Sequence, residues 1–236
     1  MTDVWYVGVD QVPESLAVLL DGRDRARRRR ILCEADRNRA LAAWVLARLV
    51  LGEKLGRDPA DLSFDRTCAH CGDPGHGKPV VESADPGLDF SLSHAGGLAV
   101  VAVSDRTVGV DIEDATAGVR PPAAALTERE RAVCSDYADF ARLWTCKEAV
   151  LKAAGKGLQI HPGRLEVLGS TLRALPEELG RPEDYTLRDL PLPAPYVGTL
   201  AVLGPAPPPS VRSGTDLVGA AAQVFPSPLP HPRVHR

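Results

Sequence analysis

A short alternating stretch, residues 108–113, is the feature that most constrains how this chain can fold. Apolar residues alternate there with small or acidic ones, in the order Val108, Gly109, Val110, Asp111, Ile112 and Glu113. Successive side chains on a β-strand point to opposite faces of the sheet, so the pattern predicts a strand with an apolar face turned to the core. Asp111 and Glu113 are then expected together on the other face.

A second stretch, residues 143–154, predicts a helix that lies on the same core. Its apolar residues are Leu143, Trp144, Val150, Leu151 and Ala154. Glu148 and Lys152 are four residues apart and so project from the same side of the helix. If strand and helix pack together, three carboxylates (Asp111, Glu113 and Glu148) converge on one cation beside a lysine. Such a group suits Mg²⁺ held against a pyrophosphate.

The rest of the chain mixes helices with mainly antiparallel strands, which defines the α+β class. Residues 90–113 predict an antiparallel meander, and residues 36–55 predict an amphipathic helix that buries Trp44. Arg37, Arg39 and Arg48 are expected on the polar side of that helix. Residues 204–236 contain eight prolines and few apolar residues, so this tail is predicted to be mostly disordered.

Composition narrows the classes of protein that remain. The chain has 236 residues, 44% of them hydrophobic and 25% charged, with a net charge of −3, which predicts a soluble globular protein of one large or two small domains. Residues 21–57 carry an excess of six positive charges, which favours an anionic partner, although the whole chain does not resemble a nucleic-acid binder. No secretory signal or membrane-spanning run is apparent in the sequence, and five scattered cysteines favour a reduced compartment, so we expect a cytoplasmic protein.

A loop of Cys68, His70, Cys71 and His76 raises the possibility of zinc. Structural zinc takes four ligands, and no second cysteine pair or well-spaced histidine pair follows. The sequence therefore favours an incidental grouping of these residues.

Several segments together resemble the 4′-phosphopantetheinyl transferases of the surfactin-synthetase-activating (Sfp) type. They are Gly77–Pro79, Phe90–His94, Gly109–Glu113, Trp144–Lys152 and Gly155–Leu158. The resemblance covers about residues 4–203, and its two acidic motifs are highly specific. It implies two similar α/β halves related by a pseudo-twofold axis, with the active site in the cleft between them. We expect residues 1–106 to form the half that holds the coenzyme A nucleotide, residues 107–203 to form the metal-binding half, and a chain of this double length to act as a monomer.

The resemblance also implies a reaction. The phosphopantetheine arm of coenzyme A is transferred to a serine of an acyl or peptidyl carrier protein, and adenosine 3′,5′-bisphosphate is released. Asp111, Glu113 and Glu148 are expected to hold Mg²⁺, directly or through water. Glu148 is also the expected general base, with a metal-bound hydroxide as the alternative, and Lys152 is expected to contact the phosphate bridge. The implied partners are the carrier proteins of polyketide, fatty-acid or peptide synthetases.

The remaining phosphate contacts follow from the same resemblance. Ser93 and His94 match residues that contact the nucleotide phosphates, and Lys78 and Arg39 are expected to complete a basic pocket. The cluster Arg27–Arg30 either assists or forms a solvated helix face. Residues 114–135 are expected to form part of the rim that meets the acidic carrier.

Two other functions remain open on the residues alone. A metal-dependent nuclease would use the same acids and lysine, although the net charge of −3 speaks mildly against it. A non-enzymatic docking module would use the arginine-rich helix and the cysteine loop, and it would have no need of the carboxylates.

Overall fold

The structure is a computed structural model, and it describes residues 1–68, 71–82, 87–118 and 123–226. Strands and helices alternate irregularly along the chain, as an α+β fold requires. Their bounds are β1 Asp3–Gly8, α1 Gly22–Arg30, α2 Glu34–Leu55, β2 Phe64–Asp65, β3 Val80–Val81, β4 Asp89–Ala95, β5 Leu98–Ser104, β6 Val108–Asp114, α3 Glu128–Val133, α4 Tyr137–Ala153, β7 Glu166–Leu168, β8 Thr171–Ala174, β9 Tyr185–Asp189, β10 Tyr196–Leu203, β11 Ser210–Ser213 and α5 Thr215–Val224.

Each half consists of one long helix packed on one sheet. In the first half, α2 packs on a four-stranded sheet of order β11-β1-β5-β4. In the second half, α4 packs on an antiparallel sheet of order β6-β10-β9. Two hydrophobic cores lie under these helices, and a third joins the sheets, with Val100 of β5 and Val110 of β6 among its buried residues. The predicted two-half architecture is confirmed, and so is the antiparallel pairing of β4 with β5. The prediction that β6 continues this meander is wrong, because β6 pairs with β10 in the second sheet.

Side chains of β4 join the two sheets. Asp89, Ser91 and Ser93 lie at every second position of β4, so they point to the same side of the strand. Their oxygen atoms accept hydrogen bonds from the backbone N–H groups of Val108, Val110 and Ile112 of β6, at 2.8, 3.0 and 3.4 Å. This row of bonds satisfies backbone groups of β6 and fixes its register against β4.

The predicted disorder of the tail is wrong for the residues that the structure describes. β11 pairs in parallel with β1, with Val211 opposite Val4. α5 then buries Val218 in the first core, and Leu217 and Phe225 pack beside it. The prolines precede β11 and follow α5, so they bound these elements without interrupting them. Residues 210–225 thus return to the first half, while residues 227–236 lie outside the described residues.

Arg48 also differs from its prediction. It is fully buried and not on a solvated helix face. Its guanidinium donates to carboxylate oxygens of Asp21 and Asp24, at 3.1 and 3.0 Å, and to two backbone carbonyls. A guanidinium has five donors; these acceptors bind its two terminal nitrogens, while Nε is buried without a hydrogen-bond partner.

Candidate active site

A glycine lets α4 lie directly on β6. A Cβ atom on Gly109 would come within 2.0 Å of the Ala149 carbonyl oxygen and 2.4 Å of the Ala153 amide nitrogen. Such distances are far inside van der Waals contact, so only glycine fits at this position. The close approach places Glu148 and Lys152 of the helix beside the acidic face of the strand.

Asp111 is the centre of the site. It is buried, and its Oδ1 accepts hydrogen bonds from the Ser93 hydroxyl at 2.8 Å and from the Lys152 ammonium at 2.6 Å. The other oxygen, Oδ2, is buried without a hydrogen-bond partner. Three different elements (β4, β6 and α4) therefore orient one carboxylate, and they leave one of its oxygens available.

Glu113 and Glu148 both experience the charge of Asp111. Burial, and then the negative charge of Asp111, raises the pKa of Glu148 to about 7. The same two causes raise the pKa of Glu113 to about 7, with a smaller contribution from Glu148, while Lys152 lowers both pKa values. Like charges that perturb one another in this way belong to one cluster. The three predicted acids thus lie within electrostatic reach of one another.

The spacing of these acids limits how one cation can bind. Among the residues that the structure describes, the three acids do not bring one oxygen each within 4.8 Å of one another. Ligand oxygens about 2.1 Å from a magnesium ion are at most about 4.2 Å apart, and Mg²⁺ usually keeps several waters. In this arrangement some of the acids can bind an ion directly and the others can bind it through water.

Two buried carboxylate oxygens without hydrogen-bond partners make Asp111 and Glu148 suitable ligands for a cation. Glu148 Oε1, like Asp111 Oδ2, is buried and has no hydrogen-bond partner. An unpaired carboxylate oxygen is costly to bury. A hard cation is the natural partner for two such atoms on facing elements, because its charge also offsets the mutual repulsion of the acids.

A cleft of ≈ 690 Å³ opens beside these acids, between the two halves. The first half contributes Trp44, Arg66, His76–Pro79 and Phe90–Leu92, and the second contributes Lys152, Gly155–Gly157 and Gln159. Lys78 lines this cleft, and its contact with coenzyme A stays a prediction. Its ammonium pairs with Asp89 and donates to the Val108 carbonyl at 2.8 Å, and burial lowers its pKa.

Ser93, His94 and Arg39 are not among the residues that line this cleft. Ser93 is buried, and its hydroxyl is directed at Asp111. Arg39 pairs with Asp36 and donates to the Gly96 carbonyl at 3.3 Å. The His94 side chain reaches the surface, although part of its ring is covered. This partial burial lowers its pKa, and the positive charges of Lys152 and Arg39 lower it further. His94 and Arg39 thus lie near each other outside the lining of the cleft, and Ser93 belongs to the acid cluster.

The sequence did not predict Arg66 as a residue of the cleft. Its guanidinium carbon lies 3.9 Å from the centre of the Trp44 ring, and it donates to Asp24 at 2.8 Å. Burial lowers its pKa to about 10, where it still carries a positive charge at neutral pH. No motif surrounds Arg66, so only the folded structure reveals this stacked pair.

Lys147, the residue before Glu148, forms a buried ion pair. Lys147 and Glu130 are both fully buried, and Lys147 Nζ donates to Glu130 Oε2 at 2.6 Å and to the Ala125 carbonyl at 2.8 Å. Glu130 Oε1 accepts from the Val167 amide at 2.7 Å. The pair ties α3 to α4.

The arginine cluster Arg27–Arg30 is only partly engaged. Arg28 makes two hydrogen bonds of 2.6 Å to Glu14 and one to the Arg37 carbonyl. Arg27 donates to the Pro74 carbonyl at 3.3 Å. These contacts orient the helix, and a role in ligand binding stays a prediction. Of the proposed carrier rim, residues 119–122 lie outside the described residues.

Fold and site together define a protein with two similar halves and a cluster of acids beside the cleft between them. Two family models match the chain: the 4′-phosphopantetheinyl transferase superfamily over residues 107–195, and the N-terminal part of 4′-phosphopantetheinyl transferases over residues 9–106. The chain belongs to the 4′-phosphopantetheinyl transferase superfamily.

Individual relatives agree with this assignment. The chain is 34% identical to the 4′-phosphopantetheinyl transferase HetI of Nostoc sp., over 66% of this chain and 69% of the relative. It is 31% identical to the 4′-phosphopantetheinyl transferase psf-1 of Bacillus pumilus, over 70% and 72%. It is 27% identical to the 4′-phosphopantetheinyl transferase Sfp of Bacillus subtilis, over 58% and 60%. The resemblance predicted from the motifs is confirmed.

In the described part of the chain, every helix is too short or too polar to cross a membrane.

Proposed function

We propose that this chain transfers the 4′-phosphopantetheine arm of coenzyme A to a serine of apo carrier proteins, with Mg²⁺ bound at Asp111, Glu113 and Glu148. Membership of the family supports the reaction. The observation that carries the metal is the pair of buried, unpartnered oxygens, Asp111 Oδ2 and Glu148 Oε1. A bound magnesium ion would reduce the repulsion between the attacking hydroxyl and the pyrophosphate and would stabilise charge on the departing nucleotide.

The residues of the chain orient this chemistry. Ser93 and Lys152 hold Asp111 Oδ1 from two sides, which turns Oδ2 away from both. The Lys152 ammonium also bonds the Val110 carbonyl at 3.1 Å, so it stands at the boundary between the acids and the cleft. From there it can reach the phosphate bridge as a point charge without a change of backbone position.

Glu148 is suited to accept the proton of the carrier serine. A general base works best when its pKa lies near the working pH, and burial raises the pKa of Glu148 to about 7. A directly bound cation would lower that pKa again. Base and direct metal ligand are thus competing roles for the same carboxylate, and water-mediated binding of the metal by Glu148 reconciles them.

The cleft between the halves is the proposed coenzyme A site. It is lined by Arg66, Lys78, Lys152 and Lys156, which supply positive charge for phosphates. Arg39 and His94 are not among the residues that line it, and they are proposed to contact the nucleotide phosphates. We further propose that the chain acts as a monomer in the cytoplasm.

The test is to mix the protein with coenzyme A, Mg²⁺ and an apo carrier protein, and to weigh the carrier by mass spectrometry. The carrier is expected to gain one phosphopantetheine group with the wild type and with Glu53→Gln, which changes an exposed helical glutamate. Glu148→Gln and Asp111→Asn are expected to give no gain. An unmodified carrier with wild-type protein, across several carriers, would contradict the proposal.

A further inference from the structure

The loop before the cleft gathers three metal-ligating side chains. One ligand atom each from Cys68, Cys71 and His76 lies within 4.8 Å of the other two. It is the one such group of three among the described residues. Cys71 Sγ and His76 Nε2 are 3.1 Å apart. The sequence favoured an incidental grouping, and this convergence is what changes that interpretation.

The spacing agrees with a tetrahedral zinc ion. With Zn–S of about 2.3 Å and Zn–N of about 2.0–2.1 Å, tetrahedral geometry separates two sulfurs by about 3.8 Å and a sulfur from a nitrogen by about 3.6 Å. Atoms that all lie within 4.8 Å of one another need to move by less than an ångström or so to reach these values. A magnesium ion would not suit these ligands, because it prefers oxygen.

The backbone of the loop holds the two cysteines in this arrangement. The Gly72 amide donates to the Cys68 carbonyl at 2.9 Å, and the Cys68 amide donates to the Asp73 carbonyl at 2.8 Å. Gly72 has φ of +73°, a left-handed conformation that disfavours other residues. This tight reversal returns the chain toward Cys68 directly after Cys71 and brings both thiols to the same side.

The loop is also attached to the second half and to the cleft. Gln159 Nε2, from the turn after α4, donates to Cys68 Sγ at 3.2 Å. Hydrogen bonds of this kind orient and stabilise metal-bound thiolates. On the other side, the Gly77 amide donates to the Arg66 carbonyl at 2.7 Å, and His76, Lys78 and Gln159 line the cleft. The position of the cysteines is thus linked to the wall of the proposed coenzyme A site.

We propose that Cys68, Cys71 and His76 bind one Zn²⁺ ion, which fixes the loop that carries Lys78 into the cleft. The ion is structural and separate from the acid cluster. Three protein ligands leave one tetrahedral position for water or a further side chain. His70 lies outside the described residues and is not assigned to it.

The direct test is metal content. Protein purified without chelators and dialysed against Zn²⁺ and then metal-free buffer is measured by mass spectrometry of the metal. The wild type and Cys33→Ser, which removes an exposed cysteine elsewhere, are expected to retain ~1 zinc per chain. The Cys68→Ser/Cys71→Ser double variant is expected to retain less than about a tenth of that, because thiolates are the strongest ligands of the set.

Cobalt supplies a readout that does not depend on activity. Co²⁺ added to the zinc-free wild type is expected to give thiolate-to-cobalt absorption in the near ultraviolet and tetrahedral bands in the visible. His76→Ala tests the third ligand without removing a thiol, and it should weaken the bands. Circular dichroism of each variant checks that it is folded. If the double variant does not fold, the wild-type spectrum and His76→Ala decide the question.

Two outcomes overturn the proposal. One is a wild-type protein that holds no zinc after dialysis and gives no cobalt spectrum. The other is equal zinc in the wild type and in a folded Cys68→Ser/Cys71→Ser double variant. A Cys68–Cys71 disulfide in protein prepared under reducing conditions, seen as a loss of two hydrogen masses, would also overturn it. None of these results bears on phosphopantetheine transfer, so the two proposals fail independently.

Discussion

The Ser93 hydroxyl, from the first half of the molecule, donates a 2.8 Å hydrogen bond to Asp111, from the second half. The acid that organises the site is therefore oriented by a residue on the opposite side of the interface between the halves. Two residues earlier on β4, Ser91 also reaches across to β6, where its hydroxyl accepts from the Val110 amide at 3.0 Å. The two serines are similarly buried, but only Ser93 touches an acid.

This difference gives a matched pair of variants. Ser93→Ala is expected to raise the magnesium concentration for half-maximal transfer by about 10-fold or more, because removing a group that hydrogen-bonds a metal ligand commonly weakens metal binding by this much. Ser91→Ala is expected to leave it nearly unchanged. Both should lower the free energy of unfolding by about 1–3 kcal/mol, since each removes a buried hydrogen-bond partner. Equal magnesium requirements for the two variants would show that Ser93 does not orient the site.

Gly109→Ala should disrupt the packing of α4 on β6. The added methyl group would lie 2.0 Å from the Ala149 carbonyl oxygen, and relief requires the helix to shift, at a cost of about 1–3 kcal/mol or more. The same shift would move Glu148 and reduce transfer. The control is Gly219→Ala, in a helix with nothing within 4 Å of the new atom, which should be neutral or stabilise by up to about 1 kcal/mol. Urea unfolding measures both, and equal stabilities would refute the close-packing argument.

Lys147→Ala is expected to destabilise the protein, although Lys147 has no direct part in the proposed reaction. It leaves Glu130 buried without its cation, and breaking a buried pair from one side costs about 3–5 kcal/mol. Adding Glu130→Gln should recover part of that loss, because the uncompensated charge is then gone. Urea unfolding of the single and double variants measures the coupling. Additive losses would mean that the two residues do not interact as described.

The stability of the magnesium-free protein should fall as pH rises between about 4.5 and 7. The pKa of Glu113 and of Glu148 is about 7 in the folded state, against an ordinary value of 4.5. Within this window the folded state binds more protons than the unfolded state, so the free energy of unfolding decreases with pH. Glu148→Gln should flatten this dependence, and Mg²⁺ should raise the melting temperature most above pH 7. Thermal melts from pH 5 to 8 check the sign, and an identical pH dependence in Glu148→Gln would be inconsistent with the raised pKa.

Local sequence pattern predicted the parts of the site that lie within single elements. Alternation placed Asp111 and Glu113 on one face of β6, and the spacing of four residues placed Glu148 and Lys152 on one side of α4. Both depend only on the geometry of a strand or a helix. The family resemblance supplied the two halves and the cleft between them.

Local sequence pattern was not sufficient where contacts between distant segments determine the position of a residue. Arg48 has the spacing of a polar helix position, yet Asp21 and Asp24 from the preceding turn and helix cover it. The hydroxyl of Ser93 is directed at an acid across the interface, a contact that no local pattern indicates, and its contact with a nucleotide phosphate stays a prediction. The tail looked disordered from its prolines, because no sequence rule shows that β1 offers an edge to β11. Each of these requires knowledge of which elements meet.

Magnesium binding tests the account most directly. Calorimetric titration of Mg²⁺ into the protein with coenzyme A present should show one site per chain for the wild type and for Glu53→Gln. Asp111→Asn, with its fold verified by circular dichroism, should bind at least about 10-fold more weakly, because the site then lacks a hard anionic ligand. Equal magnesium affinity in the wild type and Asp111→Asn would contradict the proposal that the carboxylates beside the cleft hold the metal.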